Sequence, residues 1–387
     1  MILASGGADH TLRFWTYQDA DGQYEPKAKQ LSVLKDHMAV SLDWSRDGST
    51  IASCNGGRSF WLLDAHRALL GTSFEAHFRM VNWVMWNADG SRLISASSDG
   101  TIKIWDGTSG ACTSTLRAFG KSDIRCVVSS PDGGMLVSCG KEELLTVWDA
   151  HTGMTLGYLS GHTGKCVHQV AWRTGFGGWT LASAGSDATV RLWVLADGPG
   201  FKRGKCTAVL TDHSQDAVCV AWNPTDGKVL ASGGYDFVVR LWDVADDATS
   251  ATCTAVLEGH GWIAFLAWSP DGKTLVSGGG TNDKLFMWAV DGGSAQCIRI
   301  IEDDAHVVNR GATLGISWHP SGREFVTTSF QSLRVYDAAS AQLTAVLEGH
   351  STMVMSACWR PDGNVIASSS YGSRDMLLYE RAVRRPR

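Results

Sequence analysis

The stretch His213–Asp243 reads HSQDAVCVAWNPTDGKVLASGGYDFVVRLWD. Three apolar runs stand out in it, Ala217–Trp222, Lys228–Gly234 and Val238–Trp242. Between the first two lies Asn-Pro-Thr-Asp-Gly, where Pro224 presets one backbone angle and Gly227 supplies another. A tight turn around Tyr235 and Asp236 separates the second from the third, and Thr252–Leu257 offers a fourth run after a loop. Four short runs divided by turn chemistry predict an antiparallel meander. The runs are nearly continuous in apolar character, which suits strands covered on both faces.

The same pattern recurs along the chain. The position closing the third strand reads Trp15, Leu63, Trp105, Trp148, Trp193, Trp242, Trp288, Tyr336, Tyr379, mostly 43 to 49 residues apart. A second series, Trp44, Trp86, Trp172, Trp222, Trp268, Trp318, Trp359, closes the first strand, usually before a turn such as Ser-Pro-Asp-Gly. A period near 45 corresponds to one four-stranded blade per repeat. One such sheet cannot bury both of its faces, whereas a ring of them can, and a ring also limits exposed edges.

Composition is that of a water-exposed globular chain: 387 residues, 44% hydrophobic, 19% charged, with 43 glycines for turns. A net charge of −5 gives no basic field of the kind that phosphate backbones require, so nucleic acid is disfavoured as a main partner. Ten cysteines are scattered without a C-x-x-C pair, which removes the usual zinc clasp and redox dithiol. The opening Met1-Ile-Leu-Ala-Ser-Gly-Gly7 does not read as a signal peptide, and no apolar run approaches membrane-spanning length. These features favour cytoplasm or nucleus and no membrane association.

With Trp-Asp at 105–106, 148–149 and 242–243, and Glu-Gly-His at 258–260 and 348–350, the chain resembles the WD-repeat β-propeller family over essentially its whole length. The resemblance implies an all-β fold of four-stranded antiparallel blades. It also implies a His–Ser–Asp–Trp hydrogen-bond network within a blade. Carried over by position, the sets are His77, Ser95, Asp99, Trp105; His162, Ser183, Asp187, Trp193; His213, Ser232, Asp236, Trp242; and His260, Ser277, Asp283, Trp288. A catalytic triad needs one exposed nucleophile and one oxyanion site. A constellation repeated blade after blade, each time followed by Trp, is instead structural.

As one propeller over 1–387, the chain divides into a partial N-terminal unit 1–36, full units 37–76, 77–118, 119–160, 161–211, 212–258, 259–304 and 305–348, a last unit 349–380 and a basic tail 381–387. Seven full units plus a composite blade from the ends favour eight blades over seven, with about two strands left over. Because the chain starts inside a repeat, a fragment of a longer protein is the alternative. Two units are degenerate. One has Gly57 and Leu63 at the Asp and Trp positions, with Trp61 two residues early, and the other has Gly120 for His and Glu142 for Asp.

Catalytic and metal-binding motifs are missing. Gly272-Lys273-Thr274 lacks the preceding Gly of a phosphate loop, since position 267 is Ala267, and Gly175-Phe-Gly-Gly178 is not followed by a helix. The histidines fall mostly before strands and at no metal-ligand spacing. No cofactor is expected. What remains is surface. In the family, the loops carrying Gly-His and Asp lie on one rim of the ring, and large side chains there are candidate anchors: Phe78, Arg79, Tyr235, Phe237, Trp262, Phe330, Tyr371 and Arg374. The loop Asp197–Lys205 is a further possible contact. The expected function is a non-catalytic scaffold or adaptor that binds proteins or peptides as part of a larger assembly. The alternative is a reader of modified peptides or nucleic acid through rim and channel, with Phe78, Tyr235 and Trp262 as an aromatic cage.

Overall fold

The computed structural model describes residues 3–7, 11–17, 28–35, 41–54, 59–64, 69–75, 77–87, 89–106, 109, 111–118, 123–174, 179–195, 204–259, 261–279, 284–302, 315–328, 332–348, 354–359, 361, 365–370 and 376–380. Among them every regular element is a strand, and no helix is long and apolar enough to cross a membrane. In chain order the strands are β1 Leu3–Gly7, β2 Thr11–Tyr17, β3 Ala28–Lys35; β4 Ser41–Trp44, β5 Thr50–Cys54, β6 Ser59–Asp64, β7 Leu69–Glu75; β8 Val81–Trp86, β9 Arg92–Ser97, β10 Thr101–Asp106, β11 Cys112–Arg117; β12 Ile124–Ser129, β13 Met135–Gly140, β14 Glu142–Asp149, β15 Thr155–Ser160. They continue with β16 Val167–Trp172, β17 Thr180–Gly185, β18 Val190–Leu195, β19 Gly204–Leu210; β20 Ala217–Trp222, β21 Val229–Gly234, β22 Val239–Val244, β23 Ala251–Leu257; β24 Phe265–Trp268, β25 Thr274–Gly278, β26 Lys284–Asp291, β27 Ser294–Glu302; β28 Ile316–Trp318, β29 Glu324–Thr328, β30 Ser332–Asp337, β31 Leu343–Glu348; and β32 Val354–Trp359, β33 Val365–Ser370, β34 Met376–Glu380.

From β4 to β31, each run of four consecutive strands forms one four-stranded antiparallel blade. The remaining strands form a six-stranded sheet in the order β3-β2-β1-β34-β33-β32, closed by the antiparallel pairing of Ala4 with Leu378. The described strands therefore make eight sheets, the number the repeat count favours, and the composite sheet carries the two extra strands.

Two compact units comprise the chain: Met1–Ile94 with Trp105–Ala111 and Leu314–Arg387, and Ser95–Ile104 with Cys112–Thr313. Within the first, β28, β32, β4 and β8 lie in series as the first strands of successive sheets; within the second, β12, β16, β20 and β24 do the same. This stacking explains the continuous apolar runs. In the β20–β23 blade the second strand is buried at all 6 positions, while the fourth alternates between exposed and half-buried until Leu257. Inner strands have a neighbouring sheet on both faces, whereas the outer strand meets solvent. Leu192, Val220, Leu230 and Trp242 share one core cluster across the β16–β19 and β20–β23 blades. Leu241, Leu275, Phe286 and Trp288 share another across the next pair. In the first unit, Ala52, Val81, Trp86 and Leu93 pack together. Each fully buried Val, Leu or Phe among them contributes about 1.5–3 kcal/mol.

The two tryptophan series hold different parts together. Indoles of the third-strand series bond within their own blade: Trp148 Nε1–H donates to Ser138 Oγ at 3.0 Å, and Trp193, Trp242 and Trp288 donate to Ser183, Ser232 and Ser277 at 2.8 Å each. Three first-strand indoles reach the preceding blade instead, whereas the Trp172 indole N–H is buried without an acceptor among the described residues. Trp222 Nε1–H donates to Ala171 O at 3.3 Å, Trp268 Nε1–H to Ala221 O at 3.0 Å, and Trp86 Nε1–H to Asp43 O at 3.3 Å. In all three the acceptor is the residue just before the preceding blade's first-strand Trp. The third-strand indoles pin the strands of a blade, and Trp86, Trp222 and Trp268 pin blade to blade.

Candidate protein-binding surface

The turns that could carry a partner are fixed by the buried polar networks. In the β16–β19 blade, Trp193 Nε1–H donates to Ser183 Oγ, whose hydroxyl lies 2.7 Å from His162 Nε2. His162 Nδ1 sits 2.9 and 3.0 Å from the two oxygens of Asp187. An ionised Asp187 assigns the proton of a neutral imidazole to Nδ1, so the hydrogen bonds run in one direction, Trp193 to Ser183 to His162 to Asp187. Burial holds the His162 pKa below the ordinary histidine range against the opposing pull of Asp187, which keeps the ring neutral. Burial also opposes ionisation of Asp187, but the Thr163 N–H, His162 and Thr189 together hold its carboxyl below the usual range.

The β20–β23 blade repeats this arrangement. His213 lies 2.8 Å from Ser232 Oγ and 2.9 Å from Asp236, and Arg240 Nη1–H adds a 2.7 Å bond to Asp236. The Asp236 carboxyl is likewise lowered, with burial outweighed by His213 and Arg240. In the β8–β11 blade, His77, Ser95 and Trp105 are buried, and Asp99 accepts from the Thr101 N–H and hydroxyl at 2.9 and 2.6 Å. His260 and Asp283 of the fourth set lie outside the described residues, as do Gly57 and Gly120 of the degenerate units. The β12–β15 blade, with Glu142 at the head of β14, keeps the Ser138–Trp148 bond.

Anchored turns display unlike side chains. Ser186 and Ala188 flank Asp187, whereas Tyr235 and Phe237 flank Asp236. Tyr235 is 39% exposed and Phe237 49%. Phe237 has φ 66°, a left-handed conformation that costs a residue with a Cβ about 1–2 kcal/mol. Tyr235 N–H donates to the Asp216 carbonyl at 3.0 Å, and a Cβ at Gly234 would collide with that carbonyl. Glycine there lets the turn close against the loop before β20.

Trp262 meets Tyr235 edge to face with centroids 5.9 Å apart, and Tyr235 in turn meets His168 at 6.5 Å. His168 was not singled out from the sequence, nor were its other neighbours. Arg125 Nη1–H donates to His168 Nδ1 at 3.2 Å, and His168 Nε2–H donates to Asp216 Oδ2 at 3.3 Å. Burial, opposed by Asp216 and aided by Arg125, lowers the His168 pKa and keeps it neutral. Arg125 and His168 occupy matching β-bulges, between Ile124 and Cys126 and between Val167 and Gln169. A bulge re-aims a side chain away from the strand's regular alternation. Each stands four residues before the end of its first strand, an offset the sequence carries openly.

Phe78, 78% exposed, and Arg79 follow the buried His77 in the first unit, while Tyr235, Phe237 and Trp262 belong to the second. Phe330, Tyr371, Arg374, residues 197–203 and the tail 381–387 lie outside the described residues. Among the described residues no group of three or more His, Cys, Asp or Glu side chains is arranged to hold a metal ion.

Comparison with known proteins follows the same lines. The pattern of the family described as "WD domain, G-beta repeat" matches residues 28–62, 69–106, 110–149, 153–194, 204–243, 251–288 and 341–378, well over half of the chain. A nuclear distribution protein PAC1 of Arthroderma otae is 27% identical over 345 residues, 82% of this chain and 62% of that protein. A chromatin assembly factor 1 subunit FAS2 homolog of Oryza sativa subsp. japonica is 28% identical over 123 residues, 30% of this chain and 24% of its own length. The target of rapamycin complex subunit wat1 of Schizosaccharomyces pombe is 28% identical over 115 residues, 27% of this chain and 32% of its own length. The chain thus spans less than two thirds of the length of each of these relatives.

Proposed function

Because the chain belongs to the WD-domain, G-beta repeat family, we propose that it is a non-catalytic scaffold or adaptor that binds protein segments on the turns of its blades and helps assemble a larger complex. The observation carrying this reading is Phe237. A half-exposed aromatic is held in left-handed backbone on a turn anchored by buried Asp236, where the matching turn has Ala188. Strain retained at an exposed aromatic, beside Tyr235 and Trp262, suits a contact surface, since aromatic side chains supply most binding hot spots. Two of the relatives are named as subunits of complexes, which supports an assembly role, in cytoplasm or nucleus.

The test is affinity capture of the tagged chain from its source cells, beside a Tyr235→Ala, Phe237→Ala, Trp262→Ala variant with an unchanged melting curve. Stoichiometric partners lost by the variant support the reading. Partners retained by the folded variant refute this surface and direct attention to Phe78, Arg79 or the degenerate blades.

A further inference from the structure

The second unit lines up one polar and aromatic side chain after another along its successive blades. Arg125 comes from the first strand of the β12–β15 blade, His168 from that of the β16–β19 blade, Asp216 and Tyr235 from the β20–β23 blade, and Trp262 from the segment before β24. Each touches the next. Arg125 is exposed, its guanidinium spends one N–H on His168, and among the described residues no carboxylate lies within ion-pair distance of it. The neighbouring cation Lys141 is already paired with Asp123 at 2.6 Å. Asp216 bonds the other ring nitrogen of His168. Neutral His168 therefore acts as a spacer, accepting from Arg125 on one nitrogen and donating to Asp216 on the other. The array has a fixed cation at one end and an edge-to-face aromatic pair at the other.

We propose that this array is the docking site for an acidic linear segment of a partner protein, whose carboxylate is taken by Arg125 and whose neighbouring apolar side chain lies against the Tyr235–Trp262 pair. This rests on the adaptor reading above and names the chemistry of the partner. Of the two charges in the array Arg125 is the more exposed, while the Asp216 carboxylate is partly buried and already bonded to His168, and a guanidinium with its remaining N–H groups free favours the two oxygens of a carboxylate. Holding Arg125 through His168 removes part of the ordering cost that a free arginine would meet on binding. His168 is a positioning residue, and Tyr235 and Trp262 supply apolar contact area.

The experiment selects random 12-residue peptides displayed on phage against the purified full chain, then measures synthesised peptides by fluorescence polarisation. Expected is enrichment of Asp or Glu together with an aromatic or branched aliphatic residue. Arg125→Glu, an exposed change checked by its melting curve, weakens the selected peptide at least about tenfold and, reselected, enriches Lys or Arg at the acidic position. His168→Ala weakens the acidic preference, and His168→Gln, whose amide carries both an acceptor and a donor, restores it in part. Peptides that need Tyr235 and Trp262 but ignore Arg125→Glu overturn the acidic proposal and leave the adaptor reading standing. Peptides indifferent to all of these variants overturn the proposal and this surface together, and place binding elsewhere on the chain. Enrichment of basic peptides by the wild-type chain, or of none, overturns the proposal.

Discussion

Phe237 and Ala188 hold the same left-handed backbone, with φ of 66° and 59°, each one residue after the network aspartate of its turn in successive blades. The backbone is imposed by the anchored turn, because Asp187 accepts from the N–H and hydroxyl of Thr189 and Asp236 from Arg240 and His213. In the β8–β11 blade the same place after Asp99 is Gly100, with φ 77°. What varies between blades is the side chain placed on a common frame, and a large aromatic is found where glycine would be easier.

Phe237→Gly should raise stability by about 0.5–1 kcal/mol, because relief of the left-handed strain exceeds the added freedom of glycine in the unfolded chain. The same variant should bind the chain's partners more weakly. Chemical denaturation and a binding titration read the two effects separately, and a loss of stability would show that Phe237 packs rather than presents.

Ser183→Ala removes the oxygen that serves both Trp193 and His162. Leaving a buried indole N–H and a buried imidazole without partners should cost about 2–4 kcal/mol. Ser138→Ala removes the acceptor of Trp148 in a blade whose sequence has Gly120 at the His position, and should cost about 1–2 kcal/mol. Urea midpoints for the pair test the difference, and equal losses would contradict the relay.

Arg173 is fully buried and donates to the carbonyls of Gly227, Val244, Ala245 and Asp246 in the next blade while its guanidinium lies 5.2 Å from the Trp222 ring centre. The planar fork reaches these acceptors in a way that an ammonium cannot. Arg173→Lys should therefore destabilise by about 2–3 kcal/mol, since several buried carbonyls lose their donors. Hydrogen exchange across Val244–Asp246 should rise in parallel, and unchanged protection there would refute the clamp.

Asp43 lies between blades, where it accepts from Trp86 N–H at 2.7 Å and from Trp44 N–H at 3.0 Å. Burial raises its pKa to about 6 in spite of these two bonds. For an acid raised in the folded state, ionisation costs stability above that pKa, and stability is regained as pH falls from about 6 towards the unfolded value near 4. Asp43→Asn removes the charge but can accept from only one of the two N–H groups, a loss that does not vary with pH; relative to the parent the variant should gain about 1–2 kcal/mol on going from pH 5 to pH 8. Denaturation at the two pH values checks this, and a pH-independent difference would mean that the carboxyl is not the cause.

Much of this architecture was legible in the chain. The Trp spacing and the Pro and Gly turns are local regularities that lead to four-stranded blades, and the network sets are what the family resemblance implies. The surface was less legible. Tyr235, Phe237 and Trp262 were visible as large residues in turns, but Arg125 and His168 were passed over because each is an ordinary polar residue inside a strand. Their importance comes from bulges that turn them out of register and from a contact between residues 43 apart in the chain.

By itself the sequence determined the blade. Strand length, turn chemistry and the recurring Trp are set by interactions within some 45 residues, and repetition makes them readable. Tertiary structure alone decided what one blade does to the next: three first-strand indoles on the preceding blade's carbonyls, the Arg173 clamp, and the line from Arg125 through His168 to Tyr235 and Trp262. Those contacts depend on how far each sheet is turned and shifted against its neighbour. That is set by the sum of many side-chain volumes between the sheets, and no single spacing in the chain records it.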